Sequence, residues 1–135
     1  MSRKNLQPAV LFSVPDSLLN DCLEALLATL PCHSRQPQYR NALLRELDNF
    51  DANLVLLDDS HGEQELIQLS HALRRRRPQL SIAVATSDWQ ASEGARLKAA
   101  GVDHILRKPF GAARLLALFE TVQASSKETT CSVDA

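Results

Sequence analysis

Residues 52–58, "ANLVLLD", constrain the fold more than any other stretch of this chain. Leu54, Val55, Leu56 and Leu57 follow one another with no polar alternation. A strand apolar on both faces needs cover on both, which is the situation at the centre of a parallel sheet flanked by helices. The run then ends on two adjacent carboxylates, Asp58 and Asp59. Burying a charge is costly unless it is paired or binds a metal. The pair therefore belongs on a wet rim or in a site that uses it.

The rest of the chain supplies the partners such a strand requires. Residues 8–14, "PAVLFSV", predict a first strand, broken by Pro15, with Asp16 or Ser17 capping the helix that follows. Leu18, Leu19, Cys22, Leu23, Leu26, Leu27 and Leu30 recur at three- and four-residue spacing, the pattern of one buried helix face. A weak strand over 32–36 leads to a helix over 38–50 with Leu43, Leu44 and Leu47 inward. After Gly62 a helix over 63–76 buries Leu66, Ile67, Leu69 and Leu73. Residues 80–86, "LSIAVAT", form another buried strand, and a helix over 92–100 stops at Gly101. A strand over 103–107 precedes a last helix that begins near Gly111. The alternation predicts an α/β fold, a doubly wound five-stranded parallel sheet with helices on both faces. The expected organisation is a lead over 1–7, one domain over 8–124, and a disordered tail or start of a linker over 125–135.

Composition narrows the function. A chain of 135 residues has room for one core. A net charge of −1 gives no strong pull on nucleic acid or membrane. No apolar run approaches the roughly 20 residues of a membrane span, and "MSRKNLQPAV" lacks the apolar core of a secretory signal. Cys22, Cys32 and Cys131 are an odd set at unrelated spacings, which favours a reducing cytoplasm over a disulfide framework. Cys22 and Cys32 read as small buried hydrophobes. The run Arg74–Arg77 reads as a solvated helix end that complements the helix dipole, with an acidic partner or a phosphate contact as the alternatives. No stacking aromatics accompany it, so DNA reading is not expected. Enzymes built on a Gly-rich phosphate loop, a Gly-x-Ser-x-Gly elbow or a Cys-x-x-Cys pair are excluded.

In sheets of this kind the working site lies beyond the carboxyl ends of the strands. There fall Val14 and Pro15, then Asp58 and Asp59, then Thr86, then Lys108. With "LVLLD" ending at Asp58, "VAT" ending at Thr86 and "AAGVDHILRKPF" carrying Lys108, residues 8 to about 124 resemble the receiver domain of bacterial two-component response regulators. The resemblance implies the flavodoxin-like strand order 2-1-3-4-5 and a signalling module that is not an enzyme. It implies phosphoryl transfer from a histidine kinase to Asp58, with Lys108 pairing with the phosphoryl oxygens and Thr86 hydrogen-bonding to them. It also implies Mg²⁺ bridging phosphoryl oxygens and carboxylates.

The sequence departs from that family at several points. Val14 and Pro15 stand where the family supplies an acid pair for Mg²⁺, leaving Asp58 and Asp16 as candidate ligands, with helix capping the competing role for Asp16. The loop after Asp58 lacks the usual apolar-Pro-Gly stretch. Ile105 stands where the family often has an aromatic switch residue. Trp89, in "TSDWQ", reads as a lid, a partner anchor or a residue packed on the domain's own surface. Asp59 reads as a solvated loop acid and His61 as an exposed loop histidine. The resulting expectation is a degenerate receiver that acts by protein–protein contact with weak or no phosphorylation. Its partner is a histidine kinase, a phosphotransferase or a downstream effector, and the contact surface is helix four, strand five and helix five, residues 90–121, including Arg96. A second copy of the chain could dock on the same face. The alternatives are a working phosphoacceptor with a rebuilt Mg²⁺ site and a small-ligand binder. Neither nucleic acid nor membrane is an expected partner.

Overall fold

The computed structural model describes residues 9–13, 17–37, 40–86, 91–108 and 110–134. In chain order the elements are β1 (Ala9–Ser13), α1 (Ser17–Ala28), β2 (His33–Arg35), α2 (Arg40–Asn49), β3 (Leu54–Asp58), a 3-10 turn (Asp59–His61), α3 (Glu63–Arg76), β4 (Ser81–Thr86), α4 (Ala91–Ala99), β5 (His104–Arg107) and α5 (Ala112–Asp134). The five strands form one sheet in the order β2-β1-β3-β4-β5, and each neighbouring pair is parallel. β3 is the central strand and all five of its residues are buried.

Strand alternation divides the core in two. On one face Val10, Phe12, Leu54, Leu56, Ala83 and Ala85 pack with Leu23 and Leu27 of α1 and Leu115, Leu118, Phe119 and Val122 of α5. On the other, Leu11, Val55, Leu57, Ile82 and Val84 pack with Leu43 and Leu47 of α2, Leu66, Leu69 and Leu73 of α3, and Leu97 of α4. The apolar stripe of α5 is thus largely consumed by its own core. Leu116 is the exposed large hydrophobic among the described residues.

The end of α4 follows from Gly101. Its φ of +113° is one that side chains rarely tolerate. It lets the Gly101 amide donate to the Lys98 carbonyl and the Val102 amide to the Leu97 carbonyl, both at 3.1 Å, the Schellman arrangement. Leu97 and Val102 complete the motif by packing in the same buried cluster.

Two expectations are corrected. Cys22 is exposed, because α1 turns Leu23 and Leu27 to the sheet and leaves Cys22 outside that stripe. Cys32 is half-buried, its thiol 3.6 Å from the Leu27 carbonyl, and burial raises its pKa. In a Cys131→Ser background, iodoacetamide at pH 8 is expected to modify Cys22 at least about tenfold faster than Cys32, since reactivity follows access and thiolate fraction. Peptide mass spectrometry over time measures both rates, and equal rates would contradict this burial.

The arginine run is not simply a solvated helix end. The Arg76 guanidinium donates to the Asp48 carboxylate at 2.7 Å and the Leu44 carbonyl at 3.1 Å, and Arg77 donates to the Leu47 carbonyl at 2.7 Å. Arg74 reaches across to the loops before β4 and β5. The last helix, α5, runs on to Asp134, through the residues expected to be a disordered tail or the start of a linker. No glycine or proline interrupts residues 112–134.

Candidate functional site

The parallel register brings the candidate residues to one rim. Asp58 ends β3 and lies opposite Ala85 of β4, and Thr86 ends β4 opposite Arg107 of β5. The Lys108 amide donates to the Thr86 carbonyl at 2.8 Å, carrying the ladder one residue past β5. Asp58, Thr86 and Lys108 therefore stand side by side beyond the carboxyl ends of the three strands.

Lys108 organises the rim. Its ammonium lies 2.8 Å from Asp58 Oδ1 and 2.9 Å from Asp59 Oδ1. The Asp58 side chain is only 1% exposed, against 18% for Lys108 and 23% for Asp59. Burial by itself would lower the Lys108 pKa, but the hydrogen bonds and charges of Asp58 and Asp59 outweigh it and the net shift is upward. The ammonium is held firmly in its charged form.

Asp59 is not a detached loop acid. The Thr86 hydroxyl donates to Asp59 Oδ2 at 2.9 Å while Lys108 holds Oδ1. The reason is local. Strand alternation would point Asp59 away from Asp58, but the strand ends at Asp58 and the chain enters a 3-10 turn at Asp59. The turn brings the second carboxylate back to the rim. The same turn redirects His61, expected to be exposed. Its Nε2 donates to the Ser13 carbonyl at 3.0 Å, tying the turn to the end of β1. Gly62 closes the turn with φ +89°, its amide donating to the Asp59 carbonyl at 3.0 Å.

The remaining candidates are more scattered. Ile105 pairs with Val84 in the sheet and packs partly buried against the α2–α4 face of the core. Arg96 is exposed on α4 and forms an ion pair with Glu63 at the start of α3. That pairing lowers the Glu63 pKa, chiefly through the hydrogen bond from Arg96. Val14, Pro15, Asp16 and Trp89 lie outside the described residues.

The described donors do not match a Mg²⁺ site as arranged. Mg²⁺ takes a near-octahedral oxygen shell at about 2.0–2.1 Å. The rim offers two carboxylates, each already accepting from an ammonium. Among the described residues no cluster of three or more His, Cys, Asp or Glu could hold a metal.

The fold is that of response-regulator receiver domains. The chain superposes on a CheY-like response regulator receiver domain protein from Methanospirillum hungatei with a TM-score of 0.73 and 20% identity, covering 90% of this chain and 98% of that one. A response regulator from Thermotoga maritima gives 0.75 and 19%, with coverages of 86% and 97%. NtrX from Brucella abortus gives 0.81 and 16%, covering 96% of this chain but 30% of that longer one. No protein-family model and no curated protein matches the sequence. Among the described residues no helix is long and apolar enough to cross a membrane.

Proposed function

We propose that this protein is a degenerate receiver, a signalling module that works by protein–protein contact with weak or no phosphorylation of Asp58. The observation that carries the reading is the burial of Asp58 beneath Lys108. A carboxylate that attacks phosphorus must present an oxygen to the phosphodonor. Here the Asp58 side chain is 1% exposed and one of its oxygens is held by the ammonium. Charge points the same way. Both carboxylates already hold the Lys108 ammonium, so an approaching phosphoryl donor competes with Asp58 and Asp59 for it.

Such a module needs a protein to speak to: a histidine kinase, a phosphotransferase or a downstream effector. The surface proposed for that contact, or for a second copy of the chain, is α4, β5 and α5. Arg96 on α4 and Leu116 on α5 are among its exposed members.

Intact-protein mass after incubation with acetyl phosphate, with and without Mg²⁺, tests the reading. The wild-type chain is expected to gain no phosphoryl adduct under either condition. The opposing reading is a working phosphoacceptor, favoured by the meeting of Asp58, Thr86 and Lys108 on one rim. An adduct that requires Mg²⁺ and disappears in Asp58→Ala would establish it and overturn the degenerate assignment.

A further inference from the structure

The Thr86 hydroxyl and the Lys108 ammonium come from the ends of different strands, yet they close on the two oxygens of one carboxylate. Thr86 Oγ1 lies 2.9 Å from Asp59 Oδ2 and Lys108 Nζ lies 2.9 Å from Asp59 Oδ1. A neutral donor and a cation set one on each oxygen form a small receptor for an oxyanion. Its backbone is fixed, since β4 and β5 are paired up to Thr86 and Arg107 and the Lys108 amide adds a further bond. What fills it is the chain's own Asp59. The resting occupant is covalently attached, so its effective concentration exceeds that of any dilute solution anion.

We infer that Asp59 is a built-in plug: its carboxylate occupies an oxyanion pocket formed by Thr86 and Lys108, holding the threonine against the rim and excluding phosphate-class anions from it. This deepens the degenerate-receiver reading and rests on it. The signalling surface would then be held in one state by an internal anion, with no phosphoryl group required. The turn at residues 59–61 is what allows it. A continued strand would send the carboxylate to the other face of the sheet. The His61 hydrogen bond to the Ser13 carbonyl anchors the turn's far end, so the plug is held from two sides.

Removing the plug should open the pocket. Asp59→Ala deletes both the occupant and one negative charge. Asp59→Asn deletes the charge while keeping the volume. The probe is inorganic phosphate, titrated at constant ionic strength while the amide signals of Thr86 and Lys108 are followed by NMR. Far-UV circular dichroism establishes that each variant is folded. Asp59→Ala is expected to bind phosphate at least about tenfold more tightly than the wild type, because one fewer like charge faces the anion. The gain should disappear when Thr86→Val or Lys108→Ala is added. Folded Asp59→Ala and Asp59→Asn variants that bind no tighter than the wild type would overturn the plug. So would a gain that survives loss of both Thr86 and Lys108, since the anion would then sit elsewhere. Failure of the degenerate-receiver reading looks different: an adduct on wild-type Asp58, read by mass, with the phosphate titration left to report on the pocket.

Discussion

Lys108→Met is expected to lower the free energy of unfolding by about 2–4 kcal/mol, measured by urea titration at pH 7. Breaking a buried ion pair by removing one partner typically costs about 3–5 kcal/mol, whereas an exposed pair is worth about 0–1. This rim lies between, with Asp58 fully buried and Lys108 and Asp59 partly open to solvent. Part of the loss is the cost of keeping the Asp58 carboxylate buried without the Lys108 ammonium. Adding Asp58→Asn removes the buried charge and should restore more than half of the loss. A Lys108→Met variant within about 0.5 kcal/mol of the wild type would mean that the rim is more hydrated than its geometry indicates. The pH dependence has a definite sign. The Lys108 pKa is raised from 10.5 in the folded chain, so its stabilisation is fully present below that value. It disappears as pH rises through the higher, folded value. Subtracting the variant's stability curve from the wild type's should give a difference that is level between about pH 6 and about pH 10 and falls above it. A difference that fell between pH 5 and 8 would assign the effect to another group.

The fold could be read from the sequence because its signals are redundant. Leu54–Leu57 and Ile82–Val84 announce strands covered on both sides, and each helix carries its stripe at the spacing its partners need. Those signals depend on which positions are apolar, not on which residues fill them. That explains how receiver domains at 16–20% identity superpose on this chain when no family model matches its sequence. The site was legible in part. Asp58, Thr86 and Lys108 stand at strand ends, where a simple count along the sheet locates them. Asp59 did not follow from that count, because alternation holds only while the strand lasts. Whether the next residue turns inward depends on the conformation of the turn, and "DSHG" advertises no single one. His61 was missed for the same reason. Its partner is a backbone carbonyl, which leaves no trace in residue identity. The arginine run was misjudged because a helix end rich in cations looks alike whether water or neighbouring loops receive the hydrogen bonds.

One of those arginines governs the opposite end of the sheet, and its removal is the second large effect expected. The Arg74 guanidinium donates to the Pro78 carbonyl at 2.8 Å, the Gly101 carbonyl at 2.7 Å and the Asp103 carboxylate at 2.7 Å, and also to the Leu80 carbonyl. Asp103 accepts in turn from the Ile82 amide at 2.9 Å, and the Asp103 amide donates to the Ile82 carbonyl at 2.8 Å. A single side chain thus joins the end of α3 to the entries of β4 and β5. Hydrogen bonds to charged groups contribute about 1.5–3 kcal/mol each, but these share one donor group and the Asp103 carboxylate is partly exposed, so they do not add. Arg74→Ala should cost about 2–4 kcal/mol and speed hydrogen exchange at the Ile82 and Asp103 amides. Arg74→Lys should recover less than half, because a compact ammonium cannot span acceptors on both loops as a planar fork does. Gly101 has to remain glycine beside it because its φ is +113°; a Cβ there would make only an ordinary contact with Arg74 Nε, at 3.5 Å. If Arg74→Lys is as stable as the wild type, the clasp works as a point charge and not as a fork. Because the clasp grips the strands at their entries, Arg74→Ala should loosen the sheet while leaving Thr86 and Lys108 closed on Asp59. Global stability and the state of the rim would then be separable properties of this fold.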